Sequence, residues 1–188
     1  MIKALCVLFF VVLMNVCYSS EADISRRQEI AYQVINKFAS KWEDKGFILE
    51  GIGGASKENR TTGFEMLFQT ASLENVQEAR RILLNLVADF IKDINENIAL
   101  RAYLYKFPYP IENISIGILS ANSEKEPQSH LCSVSLSRGN IFYRKETSLK
   151  DGPSQLVLEE TYEEALKIVA AYKEGELNSI AEYQALSK

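Results

Sequence analysis

His130 is the chain's single histidine, and Cys132 is the one cysteine outside the first seventeen residues. Two apart on a strand, they point to the same side, as a Cys–His nucleophile pair requires, but pleat alone gives any strand that arrangement. One His and one Cys fall short of the three or four ligands of a zinc site. No Gly-x-Ser-x-Gly elbow supplies a serine partner either. The acidic run Glu159-Glu160-Thr161-Tyr162-Glu163-Glu164 is a second candidate. Glu159, Glu160 and Glu163 would be the acid and base of a glycan hydrolase if two carboxyls faced one cleft, about 5 Å or about 6.5–9.5 Å apart. A helix start wants the same residues: acidic groups complement the dipole, and Thr161 with Glu164 makes a capping box.

Tyr103, Tyr105, Phe107 and Tyr109 alternate with Leu104, Lys106 and Pro108. If extended, the four aromatics share one side and offer flat contact area with polar handles, suited to a protein or glycan ligand. Pro108 and Pro110 rule against an interior strand, and the same rings would serve to plug the mouth of a core. Gly51-Ile52-Gly53-Gly54-Ala55-Ser56-Lys57 has a glycine-rich look, but it lacks phosphate-loop spacing and runs into a strand, so it reads as a hairpin or bulge. Asn59-Arg60-Thr61 and Asn113-Ile114-Ser115 match the glycosylation acceptor pattern, which matters in a eukaryotic secretory pathway.

The N-terminus carries a different kind of signal. Met1-Ile2-Lys3 provides a positive charge, Ala4 to Met14 is unbroken apolar chain, and Cys17-Tyr18-Ser19-Ser20-Glu21-Ala22 is small and polar. That is the layout of a secretory signal peptide, with small residues at −3 and −1 for cleavage after Ser19 or as late as Ala22. An uncleaved anchor would need about 20 apolar residues. Lipid attachment at Cys17 is disfavoured, because Val16 precedes it and Met14 stands at −3. The expected product is an exported chain, periplasmic or secreted, with no membrane span after cleavage.

Composition narrows the classes further. With 47% hydrophobic residues and nine each of Tyr and Phe, the chain can bury a real core. A net charge of −4 argues against nucleic acid as a partner. The basic pairs Arg26-Arg27, Arg80-Arg81 and Arg144-Lys145 read as solvated faces. No motif implies a cofactor or a metal. With Cys6 and Cys17 in or beside the leader, Cys132 has no intrachain disulfide partner, and its place in an alternating stretch reads as a buried, inert thiol.

The elements that must position these residues follow from periodicity. A helix is expected over residues 23–45, opened by a Ser25–Gln28 capping box and carrying Ala31, Val34, Ile35, Phe38 and Trp42 on one face. Strands follow at 47–52 and 62–70, joined by a polar loop over 53–60. A long helix spans 73–97 with Ser72 as its cap. Strands then fall at 114–119, 131–137 and 141–146, with a sixth at 155–159 and a closing helix from Thr161 to Lys173. Residues 23–175 thus form a single α+β domain, with a tail at 176–188. Its antiparallel sheet of five to six strands has helices packed on one face, in the order α-β-β-α-β-β-β(-β)-α.

Seven stretches in order carry a resemblance: 51–54, 78–83, 94–97, 103–104, 107–109, 113–114 and 160–168. Together they resemble an uncharacterised group of small exported proteins of intracellular Gram-negative bacteria. The resemblance implies a bacterial envelope or extracellular setting, where neither glycosylation match applies, and it carries no activity or functional residue. The expectation is an exported, non-enzymatic binding or interaction protein whose contact residues are Tyr103, Tyr105, Phe107 and Tyr109. The alternative is a carboxylate-dependent hydrolase of envelope glycans using Glu159, Glu160 and Glu163.

Overall fold

Alternating side chains in the middle of the chain build a sheet, and the helices close over one of its faces. The computed structural model describes residues 2–121, 131–147 and 153–174, and the side chains among them from residue 21 to 172. Its elements are α1 (Ile2–Glu43), β1 (Ile48–Lys57), β2 (Arg60–Thr70), α2 (Val76–Glu96), α3 (Ile98–Arg101), β3 (Ile114–Ser120), β4 (Ser133–Ser137), β5 (Asn140–Lys145), β6 (Gln155–Thr161) and α4 (Tyr162–Glu174). The six strands lie in sequence order in one sheet.

All neighbours pair antiparallel except β2 and β3, which run parallel from Phe64↔Ile114 to Thr70↔Ser120. That exception follows from connectivity, since α2 lies between the two strands and a crossover of this length returns the chain in the same direction. Helices α1, α2 and α4 cover one face, and their apolar residues join those of the sheet in one core. Phe64, Met66 and Phe68 of β2 and Ile114, Ile116 and Ile118 of β3 point into it by pleat. Aromatic rings knit the layers: the Phe38 centroid lies 4.8 Å from that of Phe90, which lies 5.5 Å from Phe64. Lys41 of α1 holds Asp93 of α2 at 2.6 Å. The opposite face carries small residues, Ser115, Gly117, Ser133, Ser135 and Ser137, around a partly exposed Leu67.

Several boundaries differ from the sequence expectation, each for a local reason. Helix α1 runs unbroken from Ile2, so Ser25 and Gln28 sit inside it and cap nothing. The expected loop over 53–60 is strand as far as Lys57. Its turn is only Glu58-Asn59, with φ of 51° and 58°, between the paired residues Lys57 and Arg60. Two left-handed residues in succession match the right-handed strand twist, which lets so short a turn close the hairpin. Arg138-Gly139 makes the same kind of turn between β4 and β5. The cap of α2 is Asn75, not Ser72. The Asn75 side chain accepts from the Glu78 amide at 2.9 Å, while Glu78 accepts from the Glu74 amide. Leu73 lies outside the helix, fully buried, with its carbonyl accepting from the Leu131 amide at 2.9 Å. The Thr161–Glu164 capping box is present at α4: Glu164 accepts from the Thr161 amide, and Thr161 Oγ1 from the Glu164 amide. Among the described residues, no helix is long and apolar enough to cross a membrane.

Candidate functional site

The aromatic segment after α3 does not form a stripe. Residues 102–110 hold no strand, and Leu104 meets Thr61 of β2 in a single bridge. Around it the Thr61 amide donates to the Tyr103 carbonyl at 2.7 Å, and the Tyr105 amide to the Thr61 carbonyl at 3.0 Å. The four rings differ in burial. Tyr109 is buried against Phe64, with centroids 5.3 Å apart, and burial pushes its phenol well above the usual tyrosine range. Tyr103 is half-buried, its hydroxyl donating to Asp23 of α1 at 3.2 Å. Tyr105 and Phe107 remain exposed.

The two exposed rings each lie beneath a cation. The Arg101 guanidinium sits 4.2 Å from the Phe107 centroid, and Lys57 Nζ sits 6.0 Å from that of Tyr105. Ile98 extends this surface. Asn97 caps α3 by accepting from the Leu100 amide at 2.8 Å, which sends Leu100 into the core and leaves Ile98 81% exposed. Ile98 and Arg101 stand three apart on that turn and so share a side. Ile98, Arg101, Phe107, Tyr105 and Lys57 thus make a ridge of exposed apolar surface with two cations, of which Lys57 also pairs with Glu58 at 4.0 Å and Arg101 donates to the Asn95 carbonyl at 3.2 Å. Ile98 had no sequence signal beyond being an apolar residue after a long helix.

The acidic run is split by the pleat. Glu159 is exposed, while its neighbour Glu160 lies on the helix-covered face and is 8% exposed; Glu163 is exposed on α4. Adjacent strand residues face opposite sides, so Glu159 and Glu160 cannot share a cleft. Glu160 is held by Arg80 of α2, with Nε and Nη2 donating to its two oxygens at 2.7 and 3.0 Å. The Tyr143 hydroxyl donates to the same carboxylate. Burial disfavours the Arg80 charge, yet the hydrogen bonds it donates to Glu160 and its interactions with Tyr143 and Glu160 hold its pKa above the ordinary value. Tyr143 is pushed far up by burial and by the Glu160 charge. Arg80 Nη1 finds no partner. The arrangement locks α2 to β5 and β6 and occupies the Glu160 carboxylate, while Glu159 and Glu163 stand exposed.

Two of the basic pairs expected on solvated faces prove to be divided. Arg80 is 1% and Arg27 is 8% exposed, because each falls on the core side of its helix while its neighbour faces out. Cys132 is half-buried beside β4, and burial raises its thiol pKa. His130 lies outside the described residues, as do Ser120–Gln128 beyond Ala121. Among the described residues, no group of acidic, His and Cys side chains could hold a metal ion. No protein-family model, curated protein or solved structure matches this chain.

Proposed function

We propose that this is an exported, non-enzymatic interaction protein whose ridge of Ile98, Arg101, Phe107, Tyr105 and Lys57 docks a protein partner. The observation that carries it is Ile98, 81% exposed on the same surface as Phe107, itself 47% exposed beneath a guanidinium. Arginine, tyrosine and other aromatics are the residue types that concentrate binding energy at interfaces. The isoleucine weighs for a protein over a glycan: it offers apolar area but no hydrogen bond to a sugar hydroxyl. With Lys57 paired to Glu58, it is the Arg101 charge over Phe107 that favours an acidic group on the partner and faster association at low salt. Of the four aromatics, Tyr105 and Phe107 are the contact residues, whereas Tyr103 and Tyr109 hold the segment in place. Export rests on the charged, apolar and small-residue layout of residues 1–22, and the bacterial envelope on the resemblance above.

The test is photo-crosslinking in cells that export the protein. A photoreactive phenylalanine at position 107 should give a discrete protein adduct that Ile98→Ser removes, while the same probe at Leu166, exposed on α4, should not. An adduct indifferent to Ile98→Ser, or no adduct from position 107, contradicts the assignment. Ile98 is too exposed for its loss to unfold the domain, so thermal melting of Ile98→Ser controls for stability.

A further inference from the structure

A cleft of about 200 Å³ opens between α1 and the edge strand β1, and it includes Arg27. Its floor is apolar, from Ala31 and Ile35 of α1, Ile52 of β1 and Phe64 of β2. Arg27 lies on the inner side of α1 and is 8% exposed as a residue. Its guanidinium has no hydrogen bond or ion pair with a described residue, and its nitrogens are not sealed from solvent as Arg80 Nη1 is, so the charge is available to the cleft it lines. A guanidinium keeps its charge and offers a planar fork of donors.

The neighbourhood explains why no internal partner serves. Among positions three and four away on α1, only Asp23 is acidic, and it is already engaged: Asn59 Nδ2 donates to it at 2.6 Å and the Tyr103 hydroxyl at 3.2 Å. Glu65 of β2 alternates with Phe64 and faces the other side of the sheet. A cation thus stands in a recess of mixed apolar and polar lining, with the nearest acidic group on its own helix occupied elsewhere.

We infer that this cleft binds a carboxylate carried on a compact apolar body, such as a small aromatic or branched acid, with its two oxygens on Arg27. The planar guanidinium suits a carboxylate bidentately. An enclosed apolar cavity of about 150 Å³ takes up a benzene ring, so the volume here fits a ring-sized acid. Polar lining residues, Gln28 and Ser56 among them, can meet a polar substituent. This site is separate from the ridge and does not depend on the protein-docking function.

The test is titration of benzoate, with benzamide as its neutral isostere and inorganic phosphate as an anion without an apolar body. Backbone amide shifts of the full chain are followed by NMR. Benzoate should shift the amides of Ala31, Ile52 and Gly53 saturably in the millimolar range or tighter, benzamide should bind at least tenfold more weakly, and phosphate should leave the cleft floor unmoved. Arg27→Gln should weaken benzoate at least tenfold while keeping the fold, since it removes an uncompensated charge. Equal binding of benzamide, equal binding by Arg27→Gln, or shifts caused by phosphate alone would each overturn the inference. So would shifts confined to the ridge. Ile52→Trp, which fills the cleft from an exposed strand edge and leaves Arg27 in place, should also abolish the benzoate response.

Discussion

Removing the Glu160 carboxylate should destabilise this protein more than any surface substitution could. Arg80 and Glu160 are 1% and 8% exposed and joined by two hydrogen bonds of 2.7 and 3.0 Å, so they belong with buried pairs and not with exposed ones, whose worth is about 0–1 kcal/mol. Glu160→Gln leaves a buried guanidinium without a counter-charge, with one nitrogen, Nη1, already unpartnered. The expected cost is about 3–5 kcal/mol. For a domain of this size each kcal/mol lowers Tm by about 2–4 °C, giving a fall of roughly 6–20 °C. Arg80→Met should cost a similar amount, because it strands the carboxylate. The double variant Arg80→Met/Glu160→Leu should be less damaging than either single change, since both charges leave together and apolar side chains fill the space. Urea titration followed by Trp42 fluorescence is the assay; Trp42 is the chain's one tryptophan and is 4% exposed in the core. Additive losses in the double variant would refute the reasoning, because they would mean that the two groups do not sense one another.

The other predictions concern single sites. Tyr109 and Tyr143 have phenol pKa values raised by burial. Their contribution to stability is therefore complete below the ordinary tyrosine value of about 10 and lost as pH rises from there through the folded values; urea midpoints should fall above that pH, and Tyr143→Phe should flatten the fall. Thr161→Ala removes the α4 cap and should cost about 1 kcal/mol by the same urea assay. Glu164 has its pKa lowered by accepting from the Thr161 amide and hydroxyl, so its support for the helix is present above the ordinary glutamate value and lost as pH falls through the folded one. Cys132, whose thiol is raised by burial, should react with iodoacetamide at neutral pH many times more slowly in the native protein than in urea; equal rates would contradict its burial.

What the sequence made legible was whatever depends on local period. Phe64, Met66 and Phe68 against Glu65 gave away β2 and its inward face, and the Thr161–Glu164 pair marked the start of α4. Failures came where a residue's role depends on distant chain. Leu73 continues the apolar period of α2, yet its carbonyl is taken by Leu131, so the helix begins later, at the Asn75 cap. Glu58 and Asn59 fall inside the expected loop over 53–60, but no local signal narrows the turn to these two residues, which adopt positive φ. Nothing local shows that Arg80 meets Glu160, eighty residues away, or that Arg27 turns inward while Arg26 does not. The aromatic segment was visible as a group, but its division into buried Tyr109, half-buried Tyr103 and exposed Tyr105 and Phe107 follows from the Thr61–Leu104 bridge, which no spacing rule supplies.

Export of the domain from Asp23 onward is the proposal on which the location of its partner depends. The direct measurement is the intact mass of the protein recovered from cells that export it. A chain starting at Ser20 or at Asp23 is the predicted result; either keeps Asp23, whose carboxylate binds Asn59 and Tyr103 and ties α1 to the base of the ridge. A mass that retains residues 1–19 would contradict it, and would make the N-terminal segment a permanent part of the molecule.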